Sequence, residues 1–228
     1  MDLPRPHRTL SVSNGPDWGI AEEVPVEIGF NGMAWTVMMA TPADIEDLAV
    51  GLALTEQIVT GKALRRRTLD GQSGCGLCGV ETLAEAIRRP APRDGHRAPV
   101  NKSTIAIAFE ALADRQPLNS VTRSVHAAAW CDLDGGVDIV REDLGRHNAL
   151  DKLVGALGRA GRLDDDGFIV MSSRCSFELV CKAALTNASL LATVSAPTGM
   201  ALDLSAELAL PLACRAGKDV MIFNAGNG

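Results

Sequence analysis

Long apolar stretches are missing from this 228-residue sequence, and so is any excess of positive charge. No apolar run reaches the ~18 residues of a membrane-spanning helix, so we expect no membrane anchor. The 22 Lys and Arg residues are outnumbered by 28 Asp and Glu, and the longest basic run is only residues 65–67. Because nucleic-acid binding depends on a positive surface, the formal net charge of −6 argues against nucleic acid as a partner.

The N-terminus lacks the apolar segment of a secretory signal, and we therefore expect a cytoplasmic protein in which thiols stay reduced. Hydrophobic residues make up 46% of the chain, which is typical of a globular protein. A chain of this length buries roughly 70% of its unfolded surface, so neither disulfides nor a metal is needed for folding. The six cysteines are consequently of interest for chemistry.

Residues 1–20 have the composition of a loose lead-in. Apolar residues then alternate over residues 24–28 and again over 34–39, and the pair Asn31 and Gly32 between them predicts a β-hairpin. A helix is predicted to begin at residues 42–44, where Pro occupies the first turn.

Residues 89–99 are rich in Pro, Arg and Gly, and they predict a boundary between an N-terminal subdomain (1–100) and a second domain (101–228). Short apolar strands alternate with helices in the second domain, which predicts a mainly parallel sheet with helices on both faces. The predicted strands are 103–108, 136–142, 168–171, 190–194, 211–214 and 220–223; the predicted helices are 109–115, 148–157, 177–186 and 197–208; 125–131 is a buried helix or strand.

A C-x-x-C pair, Cys75 and Cys78, lies in the glycine-rich segment 73–79. Backbone N–H groups near such a pair can lower a thiol pKa and favour the reactive thiolate. The three glycines of this segment remove side-chain bulk and predict a mobile loop that a partner's sulfur can approach.

Three interpretations of the pair remain open. A structural zinc site needs four ligands, yet there is no second C-x-x-C, and the other cysteines are scattered. A thioredoxin-like dithiol should lie between a strand and a helix of a βαβ unit. In the third interpretation, a thiolate attacks a sulfur donor and carries the resulting persulfide.

The segment 141–148 (Arg-Glu-Asp-Leu-Gly-Arg-His-Asn) lies between a predicted strand and an amphipathic helix. Gly145 permits a sharp turn, and the N-terminus of the helix offers free N–H groups. Arg146 and His147 add donors for a phosphate or a pterin edge. The alternative is a surface ion-pair cluster.

Polar residues follow the ends of two predicted strands, at 172–174 and 193–198. Ligands of open α/β sheets collect at the carboxyl ends of strands, so Ser172 is a candidate ligand contact. Ordinary helix capping by Ser and Thr is the alternative. His126, in an apolar run, is either a hydrogen-bonded core residue or a functional one.

These motifs resemble those of the FdhD family, the formate dehydrogenase accessory sulfurtransferases. The sequences R-E-D-L-G-R-H-N-A-L-D-K-L and C-G-L-C-G are highly specific, and the matching segments keep the family's order. They are residues 22–25, 38–49, 73–79, 126–130, 141–152, 172–182 and 194–203.

The resemblance implies a homodimer whose catalytic domain has a cytidine-deaminase-like mixed sheet flanked by helices, beside a smaller β-rich subdomain. It also implies a sulfurtransferase that accepts persulfide sulfur from a cysteine desulfurase. The sulfur goes to the molybdenum of a bis(molybdopterin guanine dinucleotide) cofactor destined for formate dehydrogenase. Cys75 falls on the family's persulfide-bearing position, and Cys78 is its companion.

The family's cofactor-binding segment falls on six residues near the C-terminus, where a strand end with two cations and a glycine suits the phosphates of a dinucleotide. A guanine nucleotide should mimic the cofactor there. The six are Ala213, Cys214, Arg215, Ala216, Gly217 and Lys218. We expect His126, Arg146, His147 and Ser172 to complete the pocket.

The sequence departs from the family pattern in three places. Residues 122–125 (Thr-Arg-Ser-Val) precede the His where the family usually shows Thr-Gly, and Cys175 replaces a common Ala. Only residues 59–72 separate the first helix from the Cys pair, a shorter connection than the family usually has.

Deaminase chemistry, which the implied fold suggests, is rejected because His126 is followed by two Ala residues rather than by the H-x-E motif. A non-catalytic escort chaperone for the molybdenum cofactor, and a thiol–disulfide oxidoreductase, remain as alternatives. No metal site is predicted.

Overall fold

The structure, a computed structural model, describes residues 3–60, 63–64, 90 and 97–223. The two cysteines of the C-x-x-C pair, Cys75 and Cys78, lie outside these described residues, and so does most of the predicted boundary at residues 89–99.

The first described strands form a small antiparallel pair, β1 (His7–Leu10) with β2 (Trp18–Ala21). The prediction of a loose lead-in is wrong here. The pair rests on a later helix through close contacts: the guanidinium of Arg123 stacks on the ring of Trp18, 4.9 Å from its centroid, and a Cβ at Gly19 would press on the carbonyl of Val121. Contacts with residues a hundred positions away cannot be read from local composition.

The predicted hairpin is confirmed as β3 (Val24–Phe30) and β4 (Met33–Ala40). Asn31 and Gly32 both have positive φ, 52° and 76°, as the two central residues of a tight hairpin turn require. Helix α1 (Ile45–Thr55) follows, close to the predicted start.

One face of the hairpin packs on α1. The apolar residues that alternate along the strands determine which face this is. The buried set is Val26, Ile28, Trp35, Ala40, Leu48, Leu52 and Ile58. After α1 come two short paired strands, β5 (Val59–Thr60) and β6 (Ala63–Leu64).

A six-stranded mixed sheet, in the order β12-β11-β10-β9-β7-β8, forms the centre of the remaining fold. Its strands are β7 (His126–Cys131), β8 (Val137–Asp143), β9 (Gly167–Cys175), β10 (Ala188–Pro197), β11 (Leu212–Ala216) and β12 (Asp219–Phe223). The described helices of this region are α2 (Lys102–Asp114), α3 (Pro117–Thr122), α4 (Arg146–Arg159), α5 (Phe177–Ala183) and α6 (Gly199–Glu207).

The sheet is mixed, so the prediction of a mainly parallel sheet is wrong. Strands β9, β10 and β11 are parallel, whereas the pairs β7–β8, β7–β9 and β11–β12 are antiparallel. The connections β7–β8 and β11–β12 are short turns without a helix, and a short turn can only join antiparallel strands.

Two helix boundaries also differ from the sequence predictions. The predicted strand 103–108 and helix 109–115 are the single helix α2, which the Asn101 side chain caps by accepting a hydrogen bond from the N–H of Thr104 at 2.9 Å. A short apolar run does not distinguish a strand from a buried helix. Pro197 ends β10, and α6 begins only after Thr198.

Alternate residues of each central strand enter two different hydrophobic layers. On β7, Ala128 and Trp130 pack beneath α4, α5 and α6, while Ala127 and Ala129 pack against α2 on the other face. Whether a residue is at an odd or an even position of a strand therefore determines on which face of the sheet its side chain packs.

Helices α1 and α4 touch backbone to backbone. A Cβ added at Gly51 would overlap the carbonyl of Asp151, and one added at Gly155 would overlap the carbonyl of Asp47. These two glycines bring the hairpin and α1 into direct contact with the sheet domain.

A fully buried ion pair lies beside this contact. The Nζ of Lys152 on α4 is 2.6 Å from Oδ2 of Asp143 at the end of β8, and both side chains have no exposed surface. Lys152 Nζ also donates to the carbonyl of Thr41, at 3.1 Å, and Asp143 accepts from the N–H of Thr41, at 3.0 Å, and from Asn148 Nδ2, at 3.0 Å. The pair thus connects β8, α4 and the β4–α1 connection.

We expect Lys152→Met to lower the free energy of unfolding by about 3–5 kcal/mol, because it leaves the Asp143 carboxylate buried without a cation. The matched control is Lys102→Met, since Lys102 forms an exposed pair with Asp219 at 3.6 Å and should change stability by only a few tenths of a kcal/mol, on the order of other exposed pairs. Urea unfolding followed by circular dichroism measures both. Equal losses in the two variants would contradict this role for the buried pair.

Candidate functional site

One edge of the six-stranded sheet collects the segments that the sequence singled out. The carboxyl ends of β8, β9, β10 and β11 lie there with the first residue of β7, since His126 is paired with Asp143 and Cys175 with Pro197. The edge also contains the place where the parallel and antiparallel parts of the sheet meet, between β9 and β7.

The segment 141–148 divides into residues that build the fold and residues that face this edge. Arg141 donates to Asp47 at 2.8 Å, so the ion-pair alternative holds for it. The carboxylate of Glu142 accepts hydrogen bonds from the N–H groups of Leu118 and Asn119, at 2.9 and 2.8 Å, and caps α3. Burial raises the pKa of Glu142, and these two N–H groups work against that shift.

Arg146 and His147 are the members of the segment without such a structural role. They occupy the first turn of α4, after Gly145, which has no side chain to cap the helix. Arg146 Nε and His147 Nε2 are buried, and neither has a hydrogen-bond partner among the described residues. Buried polar atoms are normally hydrogen-bonded, so each of these two atoms is left to pair with a ligand or with a neighbouring side chain.

His126 lies beside this pair. Its pKa is lowered first by burial and then by electrostatic interaction with Arg146 and His147, and this favours the uncharged imidazole. The structure therefore brings together three of the predicted residues, His126, Arg146 and His147, on the α4 face of the sheet.

The hydroxyl of Ser172 is already engaged within the sheet. Its Oγ accepts a hydrogen bond from the N–H of Ala127 at 2.8 Å and so joins β9 to the start of β7. This contact gives the Ser172 hydroxyl a structural role, but the role is a bond between strands and not the helix capping offered as the alternative.

Sequence reasoning missed Glu178, in the first turn of α5. Its Oε2 lies 3.8 Å from Nε2 of His147, and the His147 ring is the main reason why the pKa of Glu178 falls to about 2. At that distance the two atoms are close neighbours but have not formed a hydrogen bond. The two residues are 31 positions apart, and no local motif links them.

The predicted cofactor segment, residues 213–218, lies at the same edge of the sheet. Its Arg215 side chain lies on the α2 face, opposite the face that carries α4. Arg215, at the end of β11, stacks its guanidinium on the ring of Phe109 of α2, 5.4 Å from the centroid. Ala213 and Cys214 are buried. Ala216, Gly217 and Lys218 are exposed in the turn to β12, where Gly217 has a φ of 64°. Arg215 is thus across the sheet from Arg146.

Three of the cysteines that the structure describes have a raised thiol pKa and are therefore poor nucleophiles. Burial raises the pKa of Cys131 and of Cys175 to about 12, and it raises that of Cys214 as well. These three, with Cys181, are free of disulfide bonds. None of the three perturbed thiols is a thiolate at neutral pH.

A cleft of about 1020 Å³ lies along the outer side of β8, and it is lined by none of the predicted residues. Its charged walls are already paired: Asp47 binds both Arg141 and Arg159, the latter at 2.6 Å. Arg115 donates to the carbonyls of Val137 and Asp138 at the outer edge of β8. Contacts within the protein therefore already engage Asp47, Arg115, Arg141 and Arg159.

Among residues 3–60, 63–64, 90 and 97–223, no three His, Cys, Asp or Glu side chains are grouped as metal ligands. In the same part of the chain, no helix is both long enough and apolar enough to cross a membrane.

Comparison with known proteins gives concordant matches. The model of the FdhD/NarQ family matches residues 21–66 and 60–226. A Sulfur carrier protein FdhD from Chromobacterium violaceum is 45% identical, covering 91% of this chain and 90% of that protein. Another from Cupriavidus necator is 42% identical, over 96% of this chain and 88% of that protein. The crystal structure of a putative formate dehydrogenase accessory protein from Desulfotalea psychrophila has the same fold, with a TM-score of 0.68, 21% identity and 96% of each chain covered.

The geometry around His126 leads to a titration prediction. Arg146→Met should raise the pKa of His126 part of the way toward its ordinary value, because the cationic charge is removed while burial remains. NMR titration of the imidazole ¹⁵N signals measures the shift. Arg215→Met is the control and should leave His126 unchanged, since Arg215 lies on the other face. A pKa unaffected by loss of Arg146 would show that the two groups do not interact.

Proposed function

The chain belongs to the FdhD/NarQ family, and we propose on that basis that it is a sulfur carrier that serves the maturation of a formate dehydrogenase. The observation that carries the proposal is the 45% identity, over nine-tenths of the chain, to a protein named as a sulfur carrier. The solved relative from Desulfotalea psychrophila supports the fold alone.

Cys75 is the proposed carrier of the sulfur. Its thiolate bonds to the outer sulfur of a persulfide on a cysteine desulfurase; the donor's S–S bond breaks, and the donor leaves as a thiolate. Cys75 then holds the persulfide. The raised pKa values of Cys131, Cys175 and Cys214 support this choice, because burial keeps those thiols protonated.

The acceptor in the proposal is the molybdenum of a bis(molybdopterin guanine dinucleotide) cofactor, bound as substrate at the sheet edge. Arg215 and Lys218 would contact its phosphates from the exposed turn, with Arg146 and His147 on the other face of the same edge. A large ligand with two nucleotide arms suits a site that has cations on both faces. We place this activity in the cytoplasm and in a homodimer, as the family resemblance implies.

Sulfane sulfur on the protein tests the carrier role directly. After incubation with a cysteine desulfurase and cysteine, cyanolysis should release bound sulfur from the wild-type protein and far less from Cys75→Ala, because the attacking thiolate is gone. Cys181→Ala is the matched control and should load fully. Full loading of Cys75→Ala would overturn the assignment, and normal activation of formate dehydrogenase by that variant would favour a non-catalytic escort.

Cys78 distinguishes the carrier from a thiol–disulfide oxidoreductase. An oxidoreductase needs both thiols, since they cycle through a disulfide. Persulfide loading that persists in Cys78→Ala would support the carrier.

Guanine nucleotide binding tests the substrate end. The double variant Arg215→Ala/Lys218→Ala should bind guanosine diphosphate at least about tenfold more weakly in calorimetry, because two charge-assisted contacts are lost. Arg162→Ala, which removes an arginine paired with Asp138 and Asp165, is the control and should bind normally. Unchanged affinity in the double variant would place the nucleotide elsewhere.

A further inference from the structure

The contact between Glu178 and His147 joins the first turns of two different helices at the candidate site. His147 is on α4 and Glu178 on α5, and their nearest atoms, Nε2 and Oε2, are 3.8 Å apart. The His147 side chain is 19% exposed and that of Glu178 35%, so the pair is partly screened from water.

An ordinary surface contact would explain the 3.8 Å distance, but it would not explain why His147 Nε2 is buried. His147 Nε2 is buried and has no hydrogen-bond partner among the described residues, and the Glu178 carboxylate lies 3.8 Å from it. A buried N–H group that is left without an acceptor destabilises the folded protein. A closure of under about 1 Å makes a hydrogen bond, and such contacts are often long before a ligand binds.

We propose that Glu178 is a positioning residue that fixes the His147 imidazole with the proton on Nε2, so that Nδ1 is presented to the cofactor as a hydrogen-bond acceptor. A carboxylate that accepts from one ring nitrogen sets the tautomer and orientation of the ring. The low pKa of Glu178, about 2 with His147 as its main cause, keeps the carboxylate charged throughout the physiological range.

This inference names the part of the substrate that each side chain recognises. An acceptor nitrogen cannot bind a phosphate oxygen, but it can accept from the N–H groups of a pterin or guanine ring. Arg146 next to it provides donors only, and it suits the anionic groups. His147 is thereby assigned to a ring edge, in contrast to the donor role expected from sequence. The assignment to the cofactor rests on the proposed function; the tautomer does not.

The tautomer is measured on the free protein. At a pH where the ring is neutral, ¹⁵N-edited NMR of wild-type protein should show a protonated Nε2 and an unprotonated Nδ1 in His147. Glu178→Gln should keep this pattern, because its amide oxygen still accepts the bond, while Glu178→Leu should give exchange-averaged signals. Wild-type protein with the proton on Nδ1 overturns the inference without any variant, and so do unchanged signals in Glu178→Leu.

The link to the cofactor is tested by measuring two steps separately, the loading of sulfur onto the protein and the activation of formate dehydrogenase. Glu178→Leu should load sulfane sulfur like the wild type but activate formate dehydrogenase at least about tenfold less, because a misplaced ring weakens positioning of the acceptor. Glu110→Leu, at an exposed position of α2, is the matched control and should do both normally. Full activation by Glu178→Leu overturns the presentation to the cofactor. If Cys75 of the wild-type protein takes up no sulfane sulfur, the proposed function is overturned, but the tautomer measured by NMR is unaffected.

Discussion

The buried ion pair between Asp143 and Lys152 holds the candidate site in place. A charged pair with no exposed surface is stable only if its remaining hydrogen-bonding capacity is used, and here Thr41 and Asn148 use it. The pair sets where β8 ends and how α4 departs from it. The first turn of α4 is therefore delivered to the sheet edge in a fixed orientation, with Arg146 and His147 ahead of the buried network.

A second buried network is built on the neighbouring residue of α4, Asp151. Lys182 of α5 donates to Asp151 at 2.8 Å and to Thr55 at 3.0 Å, so α1, α4 and α5 share one cation. Burial opposes the charge of Lys182, but the carboxylates of Asp151 and Glu56 outweigh it and raise its pKa. Most charged residues of the specific 141–152 motif thus fix the architecture around the site, and only a few remain available for a ligand.

The sequence predicted the elements whose signals are local. The β3–β4 hairpin follows from alternation and from Asn31 and Gly32, and the meeting of polar strand ends follows from strand order. The sequence-based prediction was wrong where contacts with distant residues determine the structure. Residues 103–108 were predicted as a strand, but they are helical because Asn101 caps them and one face is buried against the sheet. Glu178 escaped notice because only the packing of two helices brings it to His147, and the face occupied by Arg215 depends on strand parity.

The glycine crossing of α1 and α4 has a mechanical consequence. Side-chain layers between helices can yield by rotamer changes, but Gly51 and Gly155 leave no such layer, and neither helix can slide without moving the other. Thr55, at the last turn of α1, is tied to Asp151 at 2.6 Å. The point from which the chain departs toward its C-x-x-C pair is therefore fixed in the same rigid frame as Arg146 and His147.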